Sequence, residues 1–304
     1  MLTLVDVSEL TYFSYANIQG LQPKTVPSKV PLVSDLLYEK KQLFFALSET
    51  WLREHKDAEV DIPGYQLFRS DRTKLKRRFG RNSGGVALYV REDIAGTFEC
   101  TLNYSNGAVE VLAIYSKELG LHIACVYRQP DNQTNRSTSK TFKQAIDRLH
   151  TALAGISQQN IVITGDFNLP HTDWSTGNMT KLPGASKDEQ EMIEMLDNFA
   201  NNHFLNQVVN KPTHKAGNTL DLILINNMEI MHELNISVPL RSATHHYILE
   251  VASTTPSKEI LMRMRMNTNK SHPFELSTST VMKWIGFPWE ISWMRLTGRQ
   301  NLWI

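Results

Sequence analysis

At 304 residues the chain is long for one ordinary domain and short for two, and its 41% hydrophobic and 21% charged residues are a globular composition. The 32 Lys and Arg against 31 Asp and Glu leave a formal charge of +1, so net charge selects no partner. Two cysteines, a start that does not resemble a signal peptide, and no apolar run near the roughly 20 residues of a membrane span predict a reduced, soluble, intracellular protein, nuclear or cytoplasmic, with no membrane contact. A disulfide between Cys100 and Cys125 is the less favoured alternative.

In chain order, Leu10 to Ile18 reads as a first strand opening onto a turn at Asn17-Ile18-Gln19-Gly20. Helical spacing at Val33, Leu36 and Leu37 predicts a helix from Val33 to Lys41, and Leu43 to Leu47 is a short buried strand. It delivers Ser48-Glu49-Thr50-Trp51, where Glu49 is either a surface turn residue or a carboxylate aimed at a site. After a strand at Tyr65 to Phe68 comes a basic run that includes Arg69, Arg72, Lys74, Lys76, Arg77, Arg78 and Arg81, opposed only by Asp71. Such density suits phosphate contact, and equally a solvated loop. Gly84 to Val90 then opens a four-strand meander continuing near 97–103, 109–115 and 121–127, with turns at Asn106-Gly107 and Leu119-Gly120.

The fourth of these strands ends in Tyr127-Arg128-Gln129-Pro130, where Tyr127 is either a half-buried strand aromatic or a site residue. Apolar residues at Phe142, Ile146, Leu149, Leu153 and Ile156 predict an amphipathic helix over Ser139 to Ile156. The helix leads into Ile161-Val162-Ile163-Thr164-Gly165-Asp166-Phe167-Asn168, the stretch around which the chain is organised. Gly165 is expected to let the backbone turn. Asp166 and Asn168, two apart on an extended chain, share a face while Phe167 points inward. An acceptor beside an amide suits a hard metal, an attacking water or a phosphate, or simply an Asx-rich turn.

A second helix is expected near Asp188 to Asn201, then a buried strand from Leu220 to Ile225 that carries one carboxylate, Asp221. A buried carboxylate needs a partner. Thr244-His245-His246 at the start of the last expected strand, 244 to 251, can supply it, although a histidine there is more often structural. The pattern then decays. Residues 1–253 form one expected domain and 254–304 a tail of uncertain order, with a brief alternation from Met262 to Met266.

Taken in order, Asn17-Ile18-Gln19-Gly20, Ser48-Glu49-Thr50-Trp51, Gly84-Gly85-Val86-Ala87, Tyr127-Arg128-Gln129-Pro130, Gly165-Asp166-Phe167-Asn168, Thr219-Leu220-Asp221 and Thr244-His245-His246 resemble the endonuclease/exonuclease/phosphatase superfamily. The nearest likeness is to the apurinic-like endonuclease domain of non-LTR retrotransposons. The resemblance implies a four-layered α/β sandwich, two mainly antiparallel sheets face to face with helices outside. It also implies a DNA-nicking endonuclease using Mg²⁺, with Mn²⁺ as a substitute, and no small-molecule cofactor. On that likeness Glu49 binds the metal with Asn17, Asp166 aligns or deprotonates the water, Asn168 orients water or phosphate, and Tyr127 touches the scissile phosphate. Asp221 then holds His246, and Arg72, Lys74, Lys76, Arg77, Arg78 and Arg128 meet nucleic acid. The family's closing motif is Ser-Asp-His, and here His245 stands at the aspartate, a position on the metal side. That departure implies an impaired nuclease or, as the alternative, a nucleic-acid-binding relic of the fold.

Overall fold

The computed structural model describes residues 10–23, 26–72, 83–131, 138–154, 159–174, 179–241 and 244–253. The tail and its Met262 to Met266 alternation lie outside them, as do Lys74, Lys76, Arg77, Arg78 and Arg81 of the basic run.

Strands β1 (Thr11–Asn17), β2 (Phe44–Ser48), β3 (Tyr65–Ser70) and β4 (Val86–Arg91) precede β5 (Phe98–Ser105), β6 (Val109–Ser116) and β7 (Leu121–Arg128). The later strands are β8 (Asn160–Asp166), the short β9 (Thr172–Asp173), β10 (Thr180–Lys181) and β11 (Asn206–Gln207), then β12 (Asp221–Ile225), β13 (Met231–Ser237) and β14 (Ile248–Ser253). Helices are α1 (Val30–Glu39), the four-residue α2 (Glu92–Ala95), α3 (Ser139–Ala152) and α4 (Lys187–Asn202). The first helix therefore starts three residues before its predicted onset, with a proline in its first turn where no amide partner is missed. In α3 the Thr138 hydroxyl accepts from Thr141 N at 3.3 Å, and in α4 the Ser186 hydroxyl accepts from Glu189 N at 3.2 Å, so each helix begins at a capped amide.

Two six-stranded sheets result, ordered β13-β14-β1-β2-β4-β3 and β11-β12-β8-β7-β6-β5. Each is antiparallel except for one central parallel pair, β1 with β2 and β7 with β8. A parallel pair needs a crossover, and α1 and α3 supply them. Phe13, Phe44, Leu88, Leu112, Ile123, Ile223 and Leu249 fill the space between the sheets, with Phe13 stacked on Phe44 at 4.7 Å. Outside the first sheet Val33 and Leu37 of α1 pack on Phe45, Leu47 and Tyr89. Outside the second, Phe142, Leu149, Leu196 and Phe199 of α3 and α4 cover Val126, Ile161 and Ile163. Burying each such side chain contributes on the order of 2 kcal/mol. This is the expected four-layered sandwich.

Several expectations change in detail. The meander divides: its first strand, β4, joins the first sheet, and only β5, β6 and β7 run on in the second. Gly165 makes no turn. It lies inside β8 facing Val126, and a Cβ there would stand 2.1 Å from the Val126 carbonyl, so glycine permits close approach of the parallel pair. The last strand begins at Ile248, which leaves both histidines in the preceding loop, where His214 and His246 form an isolated bridge. Strand β13, unforeseen, is an edge strand with a bulge after Met231, and the bulge breaks the alternation that would have revealed it. Cys100 is exposed and Cys125 buried, and both are free. Among the described residues no helix is long and apolar enough to cross a membrane.

Candidate active site

Both parallel pairs end at the same edge of the sandwich, and strand register then lines up the polar residues. Asp166 ends β8 between Tyr127 at the end of β7 and Asp221 at the start of β12. Across from them Asn17 ends β1 beside Ser48 of β2, and Glu49 follows in a left-handed conformation, φ 51°.

Asn17 joins the two sheets. Its Nδ2 donates to Asp166 Oδ2 at 2.8 Å and to Glu49 Oε1 at 3.0 Å, while its Oδ1 accepts from Gln19 N at 3.2 Å, which fixes the amide's orientation. Trp51 Nε1 donates to the other Glu49 oxygen at 3.3 Å. Asp166 Oδ1 accepts from Asn168 N at 3.0 Å, and Asn168, at φ 49°, donates through Nδ2 to the Arg128 carbonyl at 2.7 Å.

Asp221 is fully buried and has its partner. Its Oδ2 lies 2.8 Å from His246 Nδ1, and His246 Nε2 is left 3.8 Å from Asp166 Oδ2. Two residues missed in the sequence complete its shell. Tyr15 donates to Asp221 Oδ1 at 3.1 Å and shares a 2.7 Å hydrogen bond with the Ser48 hydroxyl, and Thr213 Oγ1 accepts from Asp221 N at 3.0 Å. Tyr15 sits two residues before Asn17 on the same strand face, the one sequence signal that could have found it.

The charges are unequal. Burial works against an imidazolium at His246, but the charge and hydrogen bond of Asp221, with Asp166 and Glu49 beyond, outweigh it and raise His246 to about 9. Burial and then Asp221 raise Asp166 above the ordinary carboxylate range. Burial first, then Glu49 and Asp166, keep the Tyr127 phenol protonated, and Tyr15 is held likewise by burial, Asp221 and Asp166. Three carboxylates thus face one imidazolium. Oxygens of Asp166 and Asp221 and a ring nitrogen of His246 lie within 4.8 Å of one another. A negative surplus of hard oxygen donors fits a divalent cation.

Three expected contacts are not brought to this cluster. His245 is exposed, its ring 5.8 Å from that of His214, and it lines a separate cavity, so it is not placed as a metal ligand. Arg72 is 5% exposed and bidentate to Glu110, with Nε to Oε1 and Nη2 to Oε2 both at 2.9 Å, and its guanidinium lies over the Tyr127 ring. Arg128 is 1% exposed and donates from Nε to the Phe167 carbonyl at 2.8 Å and from Nη2 to the Asn168 carbonyl. Both arginines are buried and direct these donors to groups inside the protein.

Residues 121–249 match the family described as Endonuclease-reverse transcriptase. Comparison with curated proteins finds no match. Among solved structures, the 3′-5′ exonuclease NExo from Neisseria meningitidis is similar at a TM-score of 0.55 and 14% identity, over 80% of this chain and 99% of that one. The AP endonuclease LMAP from Leishmania major gives 0.54 and 13%, over 83% and 90%. The human Nocturnin catalytic domain gives 0.51 and 15%, over 80% and 92%. The family match thus spans β7 to the start of β14, and these solved structures share the fold over about four-fifths of the chain.

Proposed function

We propose that the chain is a Mg²⁺-dependent endonuclease that nicks DNA, of the kind carried by non-LTR retrotransposons. The observation that carries the reading is the meeting of Asn17, Glu49, Asp166, Asp221 and His246 at the shared edge of two sheets, from five separate segments. The description of the matched family, Endonuclease-reverse transcriptase, supports the retrotransposon origin.

Glu49 and Asn17 would hold the cation, which supplies neutralisation of charge developing on the phosphoryl oxygens. Asp166, its affinity for a proton raised by burial and Asp221, takes the proton of the attacking water. The water oxygen bonds to phosphorus as the P–O bond to the leaving oxygen breaks, and that oxygen is protonated from solvent. Asp221 fixes His246 with Nδ1 turned to it, so a protonated Nε2 donates to a phosphoryl oxygen. Asn168 orients the water, and the Tyr127 phenol, which keeps its proton, donates a hydrogen bond to the phosphate.

Nicking of supercoiled plasmid tests this. The parent should nick in Mg²⁺ and stop in EDTA, and Glu49→Gln should lose about 100-fold or more in rate with an unchanged thermal transition, because Glu49 is only half-buried. Equal rates in parent and Glu49→Gln would remove the metal assignment. A folded parent that binds DNA without nicking would replace the nuclease reading with that of a nucleic-acid-binding relic of the fold.

A further inference from the structure

Strand register sets four polar side chains in one row across the second sheet: Glu110 of β6 opposite Tyr127 of β7, Tyr127 beside Asp166 of β8, and Asp166 opposite Asp221 of β12. Cross-strand partners share a face. Tyr127, Asp166 and Asp221 have roles in the proposed reaction, whereas Glu110, 0% exposed, has none. A carboxylate buried so fully needs a compensating charge. Arg72, two residues past the end of β3 in the other sheet, supplies it through the bidentate pair. Burial works against the charge of the guanidinium, and Glu110 outweighs it.

The pair is fixed on several sides. Glu110 Oε1 also accepts from the Ser105 hydroxyl at 3.2 Å, and Oε2 from Gly85 N at 3.3 Å. Arg72 Nη1 donates to Gln129 Oε1 at 2.9 Å and to the Ser83 hydroxyl at 3.3 Å. Gly84, at φ 70°, leaves the space, since a Cβ there would stand 2.4 Å from the guanidinium carbon. The guanidinium, held at these points, cannot turn. Its carbon lies 5.4 Å from the centroid of the Tyr127 ring, within the range of a cation–π contact.

A planar cation over a phenol ring has two effects. The backbone of β7 fixes where the side chain starts, but the stacked guanidinium fixes the plane of the ring. It also acts on the hydroxyl. Burial, then Glu49 and Asp166, hold the phenol proton tightly and so weaken it as a donor, and Arg72 acts in the opposite sense. We propose that Arg72, locked by Glu110, is the positioning residue of Tyr127: it orients the ring and strengthens the phenol as a hydrogen-bond donor to the phosphate. Its consequence for rate rests on the nuclease reading, which it deepens. The gain falls where charge grows on the phosphoryl oxygens as water attacks. Lysine cannot replace it, because an ammonium has no plane to stack and no fork for both Glu110 oxygens.

The test uses the full chain carrying tyrosine labelled with ¹³C at Cζ, the Tyr127 signal being identified by its loss in Tyr127→Phe. Arg72→Lys should move or split that signal, with thermal unfolding certifying that the variant is folded. Nicking of supercoiled plasmid in Mg²⁺ supplies the kinetic side. Arg72→Lys should lower kcat about ten-fold with KM little changed, and in the Tyr127→Phe background the same substitution should change kcat less than about two-fold. Arg72→Met combined with Glu110→Met replaces the buried pair by apolar side chains and should recover the folding that either single change loses. A merely structural pair would recover nicking with it; a positioning pair leaves kcat as low as in Arg72→Lys. An unmoved Tyr127 signal in Arg72→Lys, equal kcat losses with and without the Tyr127 hydroxyl, or the parent rate in the Met pair overturns the proposal. A parent that nicks while the signal stays unmoved keeps the nuclease and loses the positioning role. A parent that does not nick, but whose signal moves in Arg72→Lys, loses the nuclease and keeps Arg72 as the residue that orients the ring.

Discussion

The turn after β1 and the turn after β8 are built alike. In each, a functional side chain ends the strand, Asn17 or Asp166, and its own oxygen accepts the amide two residues on, from Gln19 or Asn168. That second residue is left-handed in both, at φ 47° and 49°. The residue between them, Ile18 or Phe167, is buried in the core. One buried cation then holds both following carbonyls: Lys29 those of Ile18 and Gln19, Arg128 those of Phe167 and Asn168. The cations differ. Arg128 is a rigid planar donor that stays charged, while burial and then Arg241 lower Lys29 to about 8. One half of the site is thus clamped at any working pH, and the other is held by a group close to losing its charge. The softer half also lines the cavity beside Trp51.

Replacing the clamps tests the asymmetry. Arg128→Met leaves two buried carbonyls without donors and Asp131 without its partner, and should cost about 3 kcal/mol or more in denaturant unfolding at pH 7. Lys29→Met loses equivalent bonds but also removes a charge that burial disfavours, so a cost of about 1–2 kcal/mol is expected. Equal losses would break the comparison.

The pH dependence carries a sign. Between about pH 8 and roughly 10.4 the unfolded chain keeps the Lys29 proton while the folded chain has released it. Stability of the parent should therefore rise with pH across that window relative to Lys29→Met. Parallel curves would show that Lys29 titrates normally. The smallest effect concerns the left-handed residues. Gln19→Gly should change stability by no more than about 0.5 kcal/mol, because relief of the strained φ offsets the added freedom of the unfolded chain. Asn168→Gly should lose about 1 kcal/mol with its bond to the Arg128 carbonyl. A neutral result for both would reduce these turns to backbone alone.

The sequence carried the strand ends well, because β-branched runs closed by polar residues are local signals. Asn17, Glu49, Asp166 and Asp221 could be named from such ends alone. It carried the arginines poorly. A guanidinium bidentate to Glu110, or spread over carbonyls 39 and 40 positions away, looks in sequence like one bound for a phosphate, since only the partner distinguishes them. Gly165 was legible as a special position but not as a close approach, which depends on Val126 in the neighbouring strand. Strand β13 was hidden because an edge strand with a bulge is half-exposed and out of step. The place of His245 required the loop's path, which the two-residue period of a strand could not give once the strand proved to start at Ile248.

The pairing of β1 with β14 sets a timetable. Thr11 lies opposite Ser253, a separation of 242 residues, so one flank of the first strand stays open until nearly all the described chain has emerged from the ribosome. Contacts that distant form slowly and late. The same arrival brings in His246, two residues ahead of β14, and only then does Asp221 acquire its partner. A half-made chain carries the acidic cluster without the imidazole, together with an unpaired strand edge suited to chaperone capture. Assembly of the proposed site thus waits for β14, the last strand among the described residues.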